Sequence, residues 1–212
     1  MSRGISLLAS YTYGKSIDDT SSFLTSGPDK NFPQNSRNYR AERALSSFDM
    51  RQRVTGTAMW QLPRGVELRS IFGVQSGQPF SPYLRFDNSN TGNTGGTFGY
   101  DRPNVNGAAS IENRDANRWF RTEAFSIPAR YSFGNAGRNI LTGPALTTVD
   151  ASIAKVIPIE RFRLTFSIES FNLFNRTNLD LPERFVDEPS TFGRVLSSKP
   201  PRQTQASLRL QF

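Results

Sequence analysis

Val149-Asp150-Ala151-Ser152-Ile153-Ala154 leads through Ile157-Pro158-Ile159-Glu160 into Phe162-Arg163-Leu164-Thr165-Phe166-Ser167-Ile168-Glu169. Apolar residues fall at every second position in both arms, and a two-residue period puts them on one face of an extended chain. A tight connection between two such arms predicts an antiparallel hairpin with its turn at 158–160. The polar partners, among them Arg163 and Glu169, then share the opposite face.

The same period recurs four more times. Ile5, Leu7, Ala9, Tyr11 and Tyr13 alternate with Ser6, Leu8, Ser10 and Thr12, and Val54, Gly56, Ala58, Trp60 and Leu62 with Thr55, Thr57, Met59 and Gln61. Val66, Leu68, Ser70, Phe72 and Val74 follow, and last Thr204, Ala206, Leu208, Leu210 and Phe212, interleaved with Gln205, Ser207, Arg209 and Gln211. These runs approach the roughly ten residues that a tilted strand needs to cross a bilayer, whereas strands of soluble sandwiches average about 5–6.

The connections point the same way. Leu62-Pro63-Arg64-Gly65 and Ile157–Glu160 are tight, whereas 14–50, 76–146 and 175–201 are long. Short periplasmic turns alternating with long extracellular loops characterise outer-membrane barrels. With 63–65 and 158–160 on the periplasmic side, the sixth strand also ends there, at Phe212. The loops are rich in turn formers, as in Asp87-Asn88-Ser89-Asn90-Thr91-Gly92-Asn93-Thr94-Gly95-Gly96, and predict no packed core. A run at Trp119–Phe125 predicts an extra piece of strand inside the longest loop. Tyr11, Tyr13, Trp60, Phe80, Tyr83, Phe171, Phe174 and Phe212 cluster near strand ends, where interfacial aromatic girdles belong.

Composition narrows the function. The chain has no cysteine and no histidine, which removes disulfides, thiolate-bound zinc and the commonest general base. Lys+Arg 26 against Asp+Glu 18 gives a formal charge of +8, but the basic residues are scattered and flank no aromatic platform, so nucleic acid is not expected. No stretch approaches the roughly 18 apolar residues of a transmembrane helix. Mean hydropathy is −0.51, which a barrel tolerates because its strands place apolar residues only at alternate positions. The opening MSRGISLLAS carries no secretory pattern.

Local motifs divide into one sharp signal and several look-alikes. The ending Ala206, Leu208, Leu210 and terminal Phe212 looks like the assembly signal of outer-membrane barrels, read by strand addition at a free edge. Ala9–Ser16 mimics a phosphate-binding loop, but it lies at the top of an alternating strand with no helix to follow. Asp87–Asn93 and Asp18-Asp19 offer oxygen ligands without calcium-loop spacing, so no metal is expected. Asp150 and Glu169 form a conceivable carboxylate pair, read here as lumen-facing charges; no catalytic residue and no cofactor is expected.

Several segments together resemble the C-terminal barrel of TonB-dependent receptors, particularly the Oar-like group. They are Ser47-Phe48-Asp49-Met50-Arg51-Gln52-Arg53 before Gln61-Leu62-Pro63; Trp119-Phe120 with Glu123-Ala124-Phe125; Phe133-Gly134-Asn135-Ala136-Gly137-Arg138-Asn139 leading to Gly143-Pro144; Glu169-Ser170-Phe171-Asn172-Leu173-Phe174-Asn175; and Phe192-Gly193-Arg194-Val195. The resemblance implies a barrel of about 22 strands, an N-terminal plug, and uptake of a solute energised through TonB.

Residues 1–212 are then expected to be the C-terminal part of that barrel: an all-β, antiparallel transmembrane segment of about six strands, with plug, TonB box and signal peptide absent. Expected partners are outer-membrane lipid and lipopolysaccharide, the outer-membrane insertion machinery, and TonB only through the missing N-terminal regions. The smallest membrane barrels have about eight strands, so six alone are not expected to form a stable monomeric pore. The alternatives are a passive porin-like or adhesin-like barrel and, in a different class, a soluble β-sandwich binding module. The solute is unidentified; loop residues Arg37, Arg40, Arg43, Arg114, Arg118 and Arg121 are candidates for anion contact or simply solvated charges.

Overall fold

The computed structural model describes residues 4–21, 32–94 and 99–212. Met1–Arg3 of the opening stretch and Gly95-Gly96 of the oxygen-rich loop lie outside the described residues. Six long strands carry the fold: β1 (Ile5–Tyr13), β2 (Gln52–Leu62), β3 (Val66–Gln75), β4 (Leu146–Ile159), β5 (Phe162–Phe171) and β6 (Gln203–Gln211). They form one antiparallel sheet in chain order, each strand paired with its sequence neighbours.

The register brings all six alternating patterns onto one face. One row across the sheet reads Ile5, Trp60, Leu68, Ile153, Ile168, Ala206, apolar from edge to edge. The row one residue along reads Ser6, Met59, Arg69, Ser152, Glu169, Gln205, and faces the other side. A slip of a single residue in any pair would mix these faces, so the pattern fixes the register.

Among the described residues nothing packs over the apolar face. Among the described residues, the buried hydrophobic side chains all lie outside the six strands, whereas Leu208 is 69% and Phe166 44% exposed. A sandwich would hide such residues under a second sheet. An apolar face left bare along lipid-length strands suits hydrocarbon instead of water. The charged exception on this face is Lys155, whose ammonium donates to the Arg64 carbonyl in the nearby turn. Its aliphatic stem stays with the apolar face while its charge reaches the end of the sheet.

The two tight turns close by left-handed backbone. Arg64 and Gly65 have φ of 65° and 72°. A Cβ at Gly65 would meet the Val156 carbonyl oxygen at 2.6 Å, so glycine is demanded by space as well as by φ. The second turn is displaced from the sequence expectation: it is Glu160-Arg161, with Ile159 paired to Phe162, and Pro158 lies inside β4 opposite Arg163. Proline fits there because pairing of β4 with β3 stops at Lys155, leaving no ladder on that side to require its missing N–H.

The long connections overturn the expectation that they hold no packed core. Phe80, Phe120, Phe125, Leu141 and Phe192 form one buried cluster, drawn from 76–145 and 172–202. Within Trp119–Phe125, only the end is extended: Thr122–Ala124 is a single helical turn, and Phe125-Ser126 pairs with Asn104-Val105. All three long connections leave the sheet at the end opposite the tight turns. Together they make a crown over one rim of the wall.

Candidate functional site

The candidate site is the rim where this crown meets the polar face of the wall. Aromatic packing forms the crown's apolar centre: the Phe120 ring lies 6.1 Å from Phe80, 5.8 Å from Phe125 and 5.1 Å from Phe192, the last two edge-on. Edge-on contacts of this kind add to area burial. They join the second long loop to the third.

A buried charge network joins the first loop to the second. Arg102 meets Glu42 through two parallel bonds, Nη1 to Oε2 at 2.7 Å and Nη2 to Oε1 at 2.8 Å, and its Nε donates to the Ala136 carbonyl at 2.8 Å. Arg138 donates from Nε to the Glu42 carbonyl at 2.8 Å and from Nη1 to the Ser21 hydroxyl at 2.8 Å, and pairs with the Asp18 carboxylate. Both guanidinium groups are essentially removed from solvent. Removing one partner of such a pair strands a buried charge, at a cost of about 3–5 kcal/mol.

Asp101 extends the network, accepting from the Ser89 amide at 2.7 Å and from Asn93 Nδ2 at 2.8 Å. At the third loop, Asn178 takes the place of a neighbouring strand. Its Oδ1 accepts from the Thr147 amide at 3.0 Å and its Nδ2 donates to the Thr147 carbonyl at 2.8 Å, tying the loop to the top of β4.

Asp18 and Asp87 are among the crown carboxylates held below the usual range. For Asp18, burial opposes ionisation, but bonds from Arg138, Ser21 and Ser46 outweigh it. For Asp87, burial is likewise outweighed by the amides of Gly92 and Thr91 and the Ser89 hydroxyl.

The residues of the wall and crown fall into three groups, two of them singled out in the sequence. The first is committed to structure. The phosphate-loop look-alike is extended β1 backbone paired with β2 through Tyr13, after which the Ser16 amide donates to Asp49 Oδ1 at 2.6 Å. The Asp87 oxygens take the Thr91 and Gly92 amides at 3.0 and 2.7 Å, and no group of acidic residues suited to a metal occurs among the described residues. Asp150 caps the Asn172 amide at 2.8 Å, and Glu169 accepts from Gln205 Nε2 at 2.7 Å.

The second group is exposed. Ala206, Leu208 and Leu210 lie on β6 opposite Ile168, Phe166 and Leu164, with Phe212 just beyond the strand's end and almost fully exposed. Arg37, Arg40, Arg43, Arg114, Arg118 and Arg121 are all on the surface. The third group was not singled out at all: Glu42, Asp101 and Arg102. Arg138 sat inside the quoted Phe133–Asn139 segment without a role. An arginine in a polar loop reads as a solvated charge until a distant acid is brought to it, as Glu42 is to Arg102.

The polar face of the wall carries Arg53, Arg69, Glu67, Glu169 and Arg209, with Arg69 bonded to Glu67 at 2.5 Å. At mid-height it changes character. Leu8 and Ile71, two strands apart on the row through Thr57, are 69% and 60% exposed, with Met59 one row nearer the tight turns, opposite Arg69.

A model of the outer membrane beta barrel domain matches residues 1–205. No curated protein and no solved structure matches the chain. Because the match covers nearly all of the 212 residues, and the bare apolar face needs the lipid that the family provides, the chain belongs to the outer membrane beta barrel domain family and resides in the outer membrane.

Proposed function

We propose that the chain is the C-terminal barrel sector of a TonB-dependent receptor that takes up a solute across the outer membrane. The observation that carries this reading is the patch of Leu8, Ile71 and Met59 on the lumen-side face. A water-filled pore would leave it wet, whereas a plug seated in the lumen covers it. The two outer edges support a larger barrel. Among the described residues neither β1 nor β6 has a second neighbour, and each unpaired backbone group in hydrocarbon costs several kcal/mol. The ordered segments resembling Oar-like receptors add to it.

In this reading Phe212, Leu210, Leu208 and Ala206 are presented to the insertion machinery on the free edge of β6, and lipid and lipopolysaccharide cover the apolar face. TonB acts through an N-terminal plug, and no residue of this chain is assigned catalysis. The row containing Arg69, Ser152, Glu169 and Gln205 favours the second reading, a passive porin-like barrel, because such a row suits water. Single-channel conductance of the full-length barrel in planar bilayers separates the two. A plugged receptor is electrically closed; a steady open conductance contradicts the proposal. Expressed alone, residues 1–212 should give no heat-modifiable monomer.

A further inference from the structure

The geometry points to a short-peptide site in the cleft beneath the crown, which names a substrate class for the receptor reading above and rests on it. The cleft has a volume of about 780 Å³ and lies where the tops of β3 and β4 meet the third loop. Small-ligand sites commonly span about 300–1,000 Å³. Gln75 and Leu146 line it from the lumen-side face, Gln78 from just beyond β3, and 179–185 with Lys199 from the loop. A solute arriving from outside meets this cleft before it reaches the lumen.

Three features of the lining select the ligand. Among the described residues Gln75 and Gln78 make no side-chain hydrogen bond, so each brings an amide with one donor group and one acceptor, the complement of a peptide bond. Charges of both signs are present and balance: Asp180 and Lys199 pair at 2.7 Å, while Glu183, whose side chain has no partner among the described residues, is followed in the chain by Arg184. Leu146, Leu179 and Leu181 supply apolar walls between them.

The competing ligands fit less well. A sugar needs an open aromatic face, but Tyr100 and Phe185 meet edge to face at 5.3 Å, and Tyr83 lies 5.1 Å from Tyr100, so these rings are packed on one another. A polyanion such as lipopolysaccharide needs uncompensated cations, and here acids match bases. A chain of amide bonds with mixed side chains meets every wall of the cleft with its own kind.

The test uses the full-length barrel purified in detergent, without TonB. A tryptic digest of casein is passed over it, retained peptides are identified by mass spectrometry, and the strongest is synthesised and titrated. Peptide retention is expected, with Gln75→Leu combined with Gln78→Leu weakening Kd about tenfold or more. Gln61→Leu, low on the same face and outside the cleft, should leave Kd unchanged. If the double variant fails to fold, Glu183→Gln serves instead, with a similar loss expected for peptides carrying a basic residue. No retained peptide, retention of a maltodextrin mixture in its place, or equal Kd in wild type and the folded variant overturns the proposal. Binding is read without TonB, so loss of peptide binding leaves TonB-dependent uptake standing, and loss of TonB dependence leaves the binding result standing.

Discussion

On β6 and β5, Leu208 and Phe166 stand directly opposite one another with 69% and 44% of their surface exposed; in the crown, Phe80 and Phe120 are 0% and 2% exposed. These are the same kinds of side chain at opposite ends of the burial scale. The wall gives its apolar residues to an external solvent, lipid, and holds its shape by ladders and register. The crown stands in water, so it must bury its own phenylalanines and close its own charges. The six strands therefore contribute no buried hydrophobic side chain, and the loops supply the buried core among the described residues. A chain with one solvent would show a single pattern throughout.

The comparison can be broken first in the crown. Glu42→Ala leaves Arg102 charged and buried, and should cost about 3–5 kcal/mol of crown stability. Hydrogen exchange should then accelerate in 99–145 while the amides of β2–β5 keep their protection. Replacing both partners, Glu42→Leu with Arg102→Met, should recover much of that loss, because no stranded charge remains. In the wall the order reverses. Phe166→Arg, on the lipid face near mid-strand, should cost about 2–4 kcal/mol in urea unfolding from lipid vesicles. Ser167→Arg, one residue along and facing the lumen, should cost far less. Equal costs at 166 and 167 would mean the two faces share one environment.

The junction between wall and crown is weaker. Asn178→Ala leaves the Thr147 amide and carbonyl without their partners, and should cost about 1–3 kcal/mol. Limited proteolysis should detect release of the third loop before any change in the strands. The smallest effect is acid sensitivity of the crown. The Asp18 carboxylate is held below its ordinary value of 3.8, so its contribution is fully present above that pH and is lost as pH falls through the depressed folded value. Exchange of amides near Ser21 and Ser46 should accelerate at those low pH values in the wild type, and Asp18→Asn should remove the pH dependence.

The wall was legible because a period of two survives in a single sequence wherever one face meets lipid and the other does not. Strand number, order and facing follow from it. Pro158 misled because proline usually marks a turn, and only the register shows that no β3 partner needs its N–H. The crown was not legible, for a different reason. Phe80, Phe120, Phe125 and Phe192 follow no period, and turn-forming neighbours make each look incidental until the chain brings them together. Arg102 and Glu42 are likewise ordinary surface residues in sequence, joined only by the fold.

The assignment of faces admits a direct measurement. Residues 1–212 contain no cysteine, so with any cysteine elsewhere in the complete barrel replaced, Leu208→Cys and Ser207→Cys can each carry one fluorescent label in vesicles. Spin-labelled lipid should quench the label at 208 strongly and the label at 207 weakly, with the reverse order for a water-soluble quencher. Equal quenching at both positions, or stronger lipid quenching at 207, would contradict a wall whose apolar face meets the membrane.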